Sequence, residues 1–185
     1  LLITPLPLPT IGSITGLVRD YQTKTPIAGA NITTIESPTL QTTSDALGNY
    51  NLPLPPGAYT LVVYANGYTF ANRKVTVQSF APLAVEPLEL VPLDPVVVPI
   101  SAAGGVVTNS LGNTSIAVSP GAVTSTRAIR LTQLPVDAAS QNLSALPGAF
   151  VNGEMPLGFV MFEPDGTVFS APVTNDKPSL VQFRI

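Results

Sequence analysis

The 185-residue chain contains no cysteine, no histidine and no tryptophan. Without cysteine there is neither a disulfide framework nor a thiolate metal site. Without histidine the commonest general base and metal ligand is gone. Charged residues are scarce as well, at 10% against the usual quarter. The few cations are scattered, Lys24, Lys74 and Lys177 among five arginines, and the formal net charge is −3. Nucleic-acid binding needs clustered Lys and Arg to neutralise phosphates, so it is excluded as a role. No apolar run approaches the length that crosses a bilayer as a helix. The acidic side chains Asp45, Asp94, Asp137, Asp165 and Asp176 stand apart in sequence, whereas Ca²⁺ needs six to eight gathered oxygens. Glu163 and Asp165 in "EPDG" are the nearest to a pair, and Asp-Gly is foremost a hairpin turn. The reading is therefore no catalytic residues, no metal and no cofactor.

What is abundant is turn chemistry and apolar surface. Twenty prolines and fourteen glycines are spread throughout, and no long segment free of them keeps a helical period. Hydrophobic residues make up 45%, enough for one sizeable core or two modest ones. Short β-branched runs recur every eight to twelve residues between turns, the pattern of a sandwich or barrel. Strands are expected at Gly12–Asp20, Ala30–Ile35, Thr39–Ser44, Asn49–Leu54, Gly57–Ala65, Phe70–Val77 and Ala84–Leu90. A second group is expected at Gly105–Val107, Thr114–Val118, Arg127–Leu134, Gly158–Glu163, Thr167–Ser170 and Ser179–Ile185, with a helical turn around Asp137–Leu143.

The most legible stretch is Ser44 to Tyr68. In "DALGN" the Asp45 carboxylate is placed to bond its own backbone two residues on, and Gly48 accepts positive φ. Tyr50, Leu52 and Leu54 alternate onto one face, as do Tyr59, Leu61 and Val63. "PPG" and "NGY" read as the intervening turns.

Those motifs carry a resemblance. "GSITGLVRD", "TPIAGANIT", "TTSDALGNYNLPLPPGAYTLVVYANGY" and "RKVTV" together make residues 12–90 resemble a carboxypeptidase regulatory-like domain, a transthyretin-like β-sandwich of seven strands. The resemblance implies a rigid, largely non-enzymatic module of secreted and surface proteins. The second half, about 99–185, is similar to a ZU5-type β domain through "SPGAV", "IRLTQLP" and "EPDGTVFSAPV", and "TNDKPSL" departs from that pattern. Some ZU5 domains cleave themselves at a His-Phe-Ser sequence. Here Val168 stands in the histidine's place before Phe169 and Ser170, so the serine has no base. Some transthyretin-like pilin domains form an isopeptide from a first-strand lysine. The first strand here offers only Arg19, and Lys24 falls in the turn after it.

The expected architecture is all-β: two tandem β-sandwich domains joined by a short proline-rich linker. An extended segment occupies 1–11, the first domain 12–92, the linker 93–98 and the second domain 99–185. The N-terminal "LLITPLPLPTIG" is apolar, and Pro5, Pro7 and Pro9 remove main-chain donors, so it cannot be a central strand. Leu1, Leu2, Ile3, Leu6 and Leu8 are the candidate assembly residues, packing into a neighbouring copy by strand addition. Asn113 and Asn142 are the sequons in turn-like contexts, whereas the Asn31 sequon begins a strand. The expected role is a non-enzymatic, extracellular or cell-surface building block, partnered by itself or by neighbouring domains. The alternative is an adhesion module binding carbohydrate or protein, with Tyr64 and Tyr68 exposed together at one loop end.

Overall fold

The computed structural model describes residues 11–134, 159–163 and 180–183. Among them regular structure is β-strand throughout, with no helix. The chain divides into two compact units between Pro92 and Leu93.

The first unit is a sandwich of two sheets. Its strands are β1 (Gly12–Asp20), β2 (Asn31–Thr34), β3 (Gln41–Thr43), β4 (Asn49–Leu54), β5 (Gly57–Tyr64), β6 (Ala71–Val77), β7 (Pro82–Ala84) and β8 (Leu88–Leu90). One sheet runs β4-β1-β7, with β8 beside the second half of β1; the other runs β3-β2-β5-β6. Period-two alternation sends one row from each strand inward. Ile14 and Val18, Ile32, Leu52 and Leu54, Leu61 and Val63, and Leu88 and Leu90 are all buried in one cluster. The Ser44–Tyr68 stretch behaves as its chemistry dictates. Asp45 Oδ1 accepts the N–H groups of Leu47 and Asn49, each at 2.8 Å, and Gly48 sits at φ 76°. That glycine is obligatory: a Cβ there would lie 2.4 Å from the Val18 carbonyl oxygen.

The strand expected at 84–90 is instead two. Pro87 has no N–H to donate, and around it the register slips by one residue. Residue 82 pairs with 13, but 88 pairs with 18. The seven-stranded expectation thus becomes eight strands, with a bulge where the last one breaks.

The second unit contains β9 (Val98–Ile100), β10 (Gly105–Thr108), β11 (Thr114–Val118), β12 (Arg127–Leu134), β13 (Phe159–Glu163) and β14 (Leu180–Phe183). They form two three-stranded sheets, β10-β11-β14 and β13-β12-β9. Ile100, Val107, Val118, Val123, Ile129 and Leu131 make its core. The segment 93–98 read as a linker is bonded into this unit. Asp94 Oδ2 accepts the Ser110 hydroxyl at 2.7 Å and its N–H at 2.9 Å, and Asp94 N–H donates to Thr132 Oγ1 at 3.0 Å. Val98, the last of those six residues, belongs to β9. The expected strand Thr167–Ser170 and helical turn Asp137–Leu143 lie outside the described residues.

Candidate functional site

The candidate assembly residues Leu1, Leu2, Ile3, Leu6 and Leu8 lie outside the described residues, as do Asn142 and Asp165. Asn113 closes the β10–β11 hairpin and is half-buried. Its side-chain oxygen accepts the Asn109 amide at 2.8 Å, so the carboxamide serves the turn. Asn31 lies on β2 with its amide donating to Gln41 at 3.2 Å.

Among the described residues of the first unit, charge gathers where β1 ends beside β8. Arg19 and Glu89 are register partners on these parallel strands. The Glu89 side chain is 3% exposed and accepts from Arg19 Nε at 2.7 Å and from Lys24 Nζ at 2.8 Å. Lys24 reaches it because the turn after β1 is tight. The Asp20 carboxylate accepts the N–H groups of Gln22 and Thr23 at 2.7 and 2.8 Å, and Lys24 itself takes φ 60°. Its ammonium also rests 4.4 Å from the centre of the Tyr21 ring, a cation–π contact. Burial pushes the Glu89 carboxyl up, but hydrogen bonds from Lys24 and Arg19 outweigh it and hold the group below its ordinary value. Asp20 follows the same logic: burial raises it, and the bonds from Thr23, Gln22 and the Tyr68 hydroxyl bring it lower. The two cations on Glu89 hold its buried carboxylate in its charged form. The cluster is a fastening between the first and last strands of the unit.

The other feature is the solvent side of the β3-β2-β5-β6 sheet. Registers align its side chains in rows. Thr43, Asn31 and Tyr64 form one, and Gln41, Thr33, Val62 and Asn72 the next. The β5–β6 register ends with Val63 opposite Ala71, and Tyr64 and Phe70 are the next residues beyond it on the two segments. Both rings are about half exposed, 50% for Tyr64 and 54% for Phe70. The pairing of Tyr64 with Tyr68 expected from the sequence does not form. Tyr68 packs against the core, and its hydroxyl bonds Asp20. At the far end of the same strands, Glu36, Ala58, Thr60, Lys74 and Thr76 line an open notch of about 400 Å³. Glu36 forms one wall because its carboxylate continues the ladder where β2 stops. It accepts the Thr60 N–H at 2.7 Å and the Thr60 hydroxyl at 3.0 Å. Those bonds, from the Thr60 N–H first, outweigh the slight desolvation and lower its pKa.

Sequence reasoning missed both features. Glu89 alternates with Leu88 and Leu90, and alternation alone assigns it to solvent. Phe70, expected to begin a strand, stands just before β6 with its ring exposed.

Comparison with known proteins bears on the first unit. Residues 13–91 match the family model of the carboxypeptidase regulatory-like domain. This supports the resemblance read from the motifs at 12–90. No curated protein sequence matches the chain. Among solved structures, the minor pilin GBS52 of Streptococcus agalactiae is similar at 19% identity and TM-score 0.37, over 49% of this chain and 48% of the pilin. A type II cohesin–X-dockerin complex from Acetivibrio cellulolyticus is similar at 18% identity and TM-score 0.35, over 45% of this chain and 59% of that one. The Bacillus anthracis TIE protein is similar at 16% identity and TM-score 0.37, over 65% and 31%. The chain spans less than two thirds of the length of each.

Proposed function

We propose that this chain, whose first unit matches the carboxypeptidase regulatory-like domain, is a non-enzymatic extracellular structural protein, a building block of a cell-surface assembly. The observation that carries the reading is the parallel pairing of β1 with β7 and β8. Parallel first and last strands bring the chain in at one end of the sandwich and out at the other, so such units string end to end. The low charge and the fastening at Glu89 suit a passive, rigid element. The second half is read as a ZU5-like partner module. In the assembly, the segment carrying Leu1, Leu2, Ile3, Leu6 and Leu8 adds to an open sheet edge of the next copy, a head-to-tail contact that propagates as a filament.

Deleting residues 1–10 tests this. The full chain should form filaments by electron microscopy, while the truncated chain stays folded by circular dichroism and monomeric by sedimentation. Equal polymerisation of the two, or none by the full chain, would count against it. A second reading, that the module also binds a ligand, is favoured by one observation: the half-exposed rings of Tyr64 and Phe70 at one end of an almost uncharged sheet face.

A further inference from the structure

We propose that the solvent face of the β3-β2-β5-β6 sheet binds a neutral polysaccharide chain lying along β5 and β6. The inference rests on the binding reading above and is independent of polymerisation.

Three observations converge on it. The first is chemical type. Between the two ends of the face, the outward positions of the strands are Thr33, Gln41, Thr43, Asn31, Val62 and Asn72. Hydroxyl and amide groups both donate and accept, and so do sugar hydroxyls, so each can match the other in either sense. Carboxylate-rich or phosphate-rich ligands would need the cations that this face lacks: Lys74 is the one strand residue on it that carries charge.

The second is the aromatic pair. A sugar ring presents an apolar C–H face between its hydroxyl edges, and an exposed aromatic ring is the usual surface for it. Tyr64 at the end of β5 and Phe70 just before β6 are both half exposed, and among the described residues Phe80 is the other large exposed aromatic. Neither ring is needed by the core cluster, which is built from the opposite rows of β5 and β6. An apolar pair without a packing role, kept at the surface, is the kind of feature that marks a recognition site.

The third is extent. From Tyr64 to Ala58 the strand covers about 20 Å at about 3.3 Å per residue, room for several linked sugar rings. The run ends in the notch, where the Glu36 carboxylate and Lys74 flank Thr60 and Thr76. A sheet face with exposed aromatic residues at one end and a polar recess at the other suits a chain ligand. A second protein would bring its own charges and would need a larger apolar centre than two rings supply.

Native affinity electrophoresis of the full chain tests the assignment, with gels containing galactomannan, xyloglucan or hydroxyethylcellulose, and with alginate as the anionic comparison. Retardation is expected in at least one neutral gel and not in alginate. Tyr64→Ala and Phe70→Ala should each weaken it about tenfold, equivalent to about 1.4 kcal/mol. Tyr64→Phe should preserve it, since the ring and not the hydroxyl stacks. Leu111→Ala, which alters an exposed apolar residue of the second unit, should leave it unchanged. Circular dichroism confirms that each variant is folded. Retardation that survives both alanine variants, or that occurs in alginate alone, overturns this face and this ligand class but leaves the module a binder. No retardation in any gel overturns the binding reading as well. A dimer in sedimentation that Tyr64→Ala dissolves would make the face a contact between copies and likewise overturn the proposal.

Discussion

Tyr50 offers a sharp test of how the first unit is held together. Its side chain is 5% exposed, its ring lies over Gly16, and among the described residues its hydroxyl has no hydrogen-bond partner. Burial pushes the phenol pKa up to about 12, against a smaller opposing pull from Arg73, so the group stays protonated at any ordinary pH. It is then a donor with nothing to donate to. Leaving a buried polar group unsatisfied costs about 1–3 kcal/mol. Tyr50→Phe removes that cost and keeps the ring contact with Gly16, whose close fit shows in the 2.8 Å that a Cβ there would have to the ring's Cζ. The variant should therefore gain about 1 kcal/mol. In a domain of this size that raises the midpoint by about 4–8 °C. Tyr50→Ala, which empties the site, should lose about 3–5 kcal/mol. Because the chain has two units, a single melting curve would blend their transitions. Amide exchange read on peptides from β1 and β4 isolates the relevant unit. If Tyr50→Phe speeds exchange in those strands by the equivalent of 1 kcal/mol or more, the hydroxyl is bonded and the reasoning is wrong.

Two further outcomes follow from the same packing, besides those for the N-terminal deletion and the sheet face. Glu89→Gln should cost about 1–2 kcal/mol near neutral pH, the lower part of the range for charged hydrogen bonds because Arg19 and Lys24 are one third and one half exposed. The folded pKa of Glu89 lies below its ordinary 4.5, so its contribution is present above that value and lost as the pH falls through the folded one. Unfolding curves between pH 6 and 3 should thus fall less steeply for the variant, although Asp20, also lowered, keeps a slope in both; equal slopes would remove Glu89 from the account. Gly48→Ala should cost at least about 2 kcal/mol, combining positive φ with the clash on the Val18 carbonyl. Gly67→Ala, with similar φ and open space, should cost about 1 kcal/mol, and equal effects of the two by calorimetry would show that the clash is relieved.

The strands that the sequence located to the residue were those whose ends are set by local chemistry. β4 begins where Asp45 closes its turn, and β1, β11 and β12 are short β-branched runs between turns. Pro87 broke the last strand of the first unit because the missing donor mattered only once β1 was known to lie beside it. The prolines of 93–98 read as a stiff linker or the last strand edge, and the bond from Asp94 to Ser110, sixteen residues away, has no local signal. Glu89 is the clearest case. Its partners are 70 and 65 residues distant, so nothing near it marks the charge as buried. Tyr64 is exposed as the sequence suggests, but Tyr68 packs against the core, and the second exposed ring beyond the turn is Phe70.

The parallel contact between β1 and the β7–β8 pair has a mechanical consequence. Tension on a strung module pulls the start of β1 and the end of β8 in opposite directions along their common axis. The ladder joining them is loaded in shear, its bonds sharing the strain together rather than opening one after another. The Arg19–Glu89 ion pair spans that same seam, and Lys24 grips Glu89 from the adjoining turn. Resistance to such a load is set by the barrier to unfolding rather than by equilibrium stability. A domain of modest thermal stability can on these terms still be a strong link, with the rupture force concentrated in two short runs, 13–15 and 18–20 of the first strand.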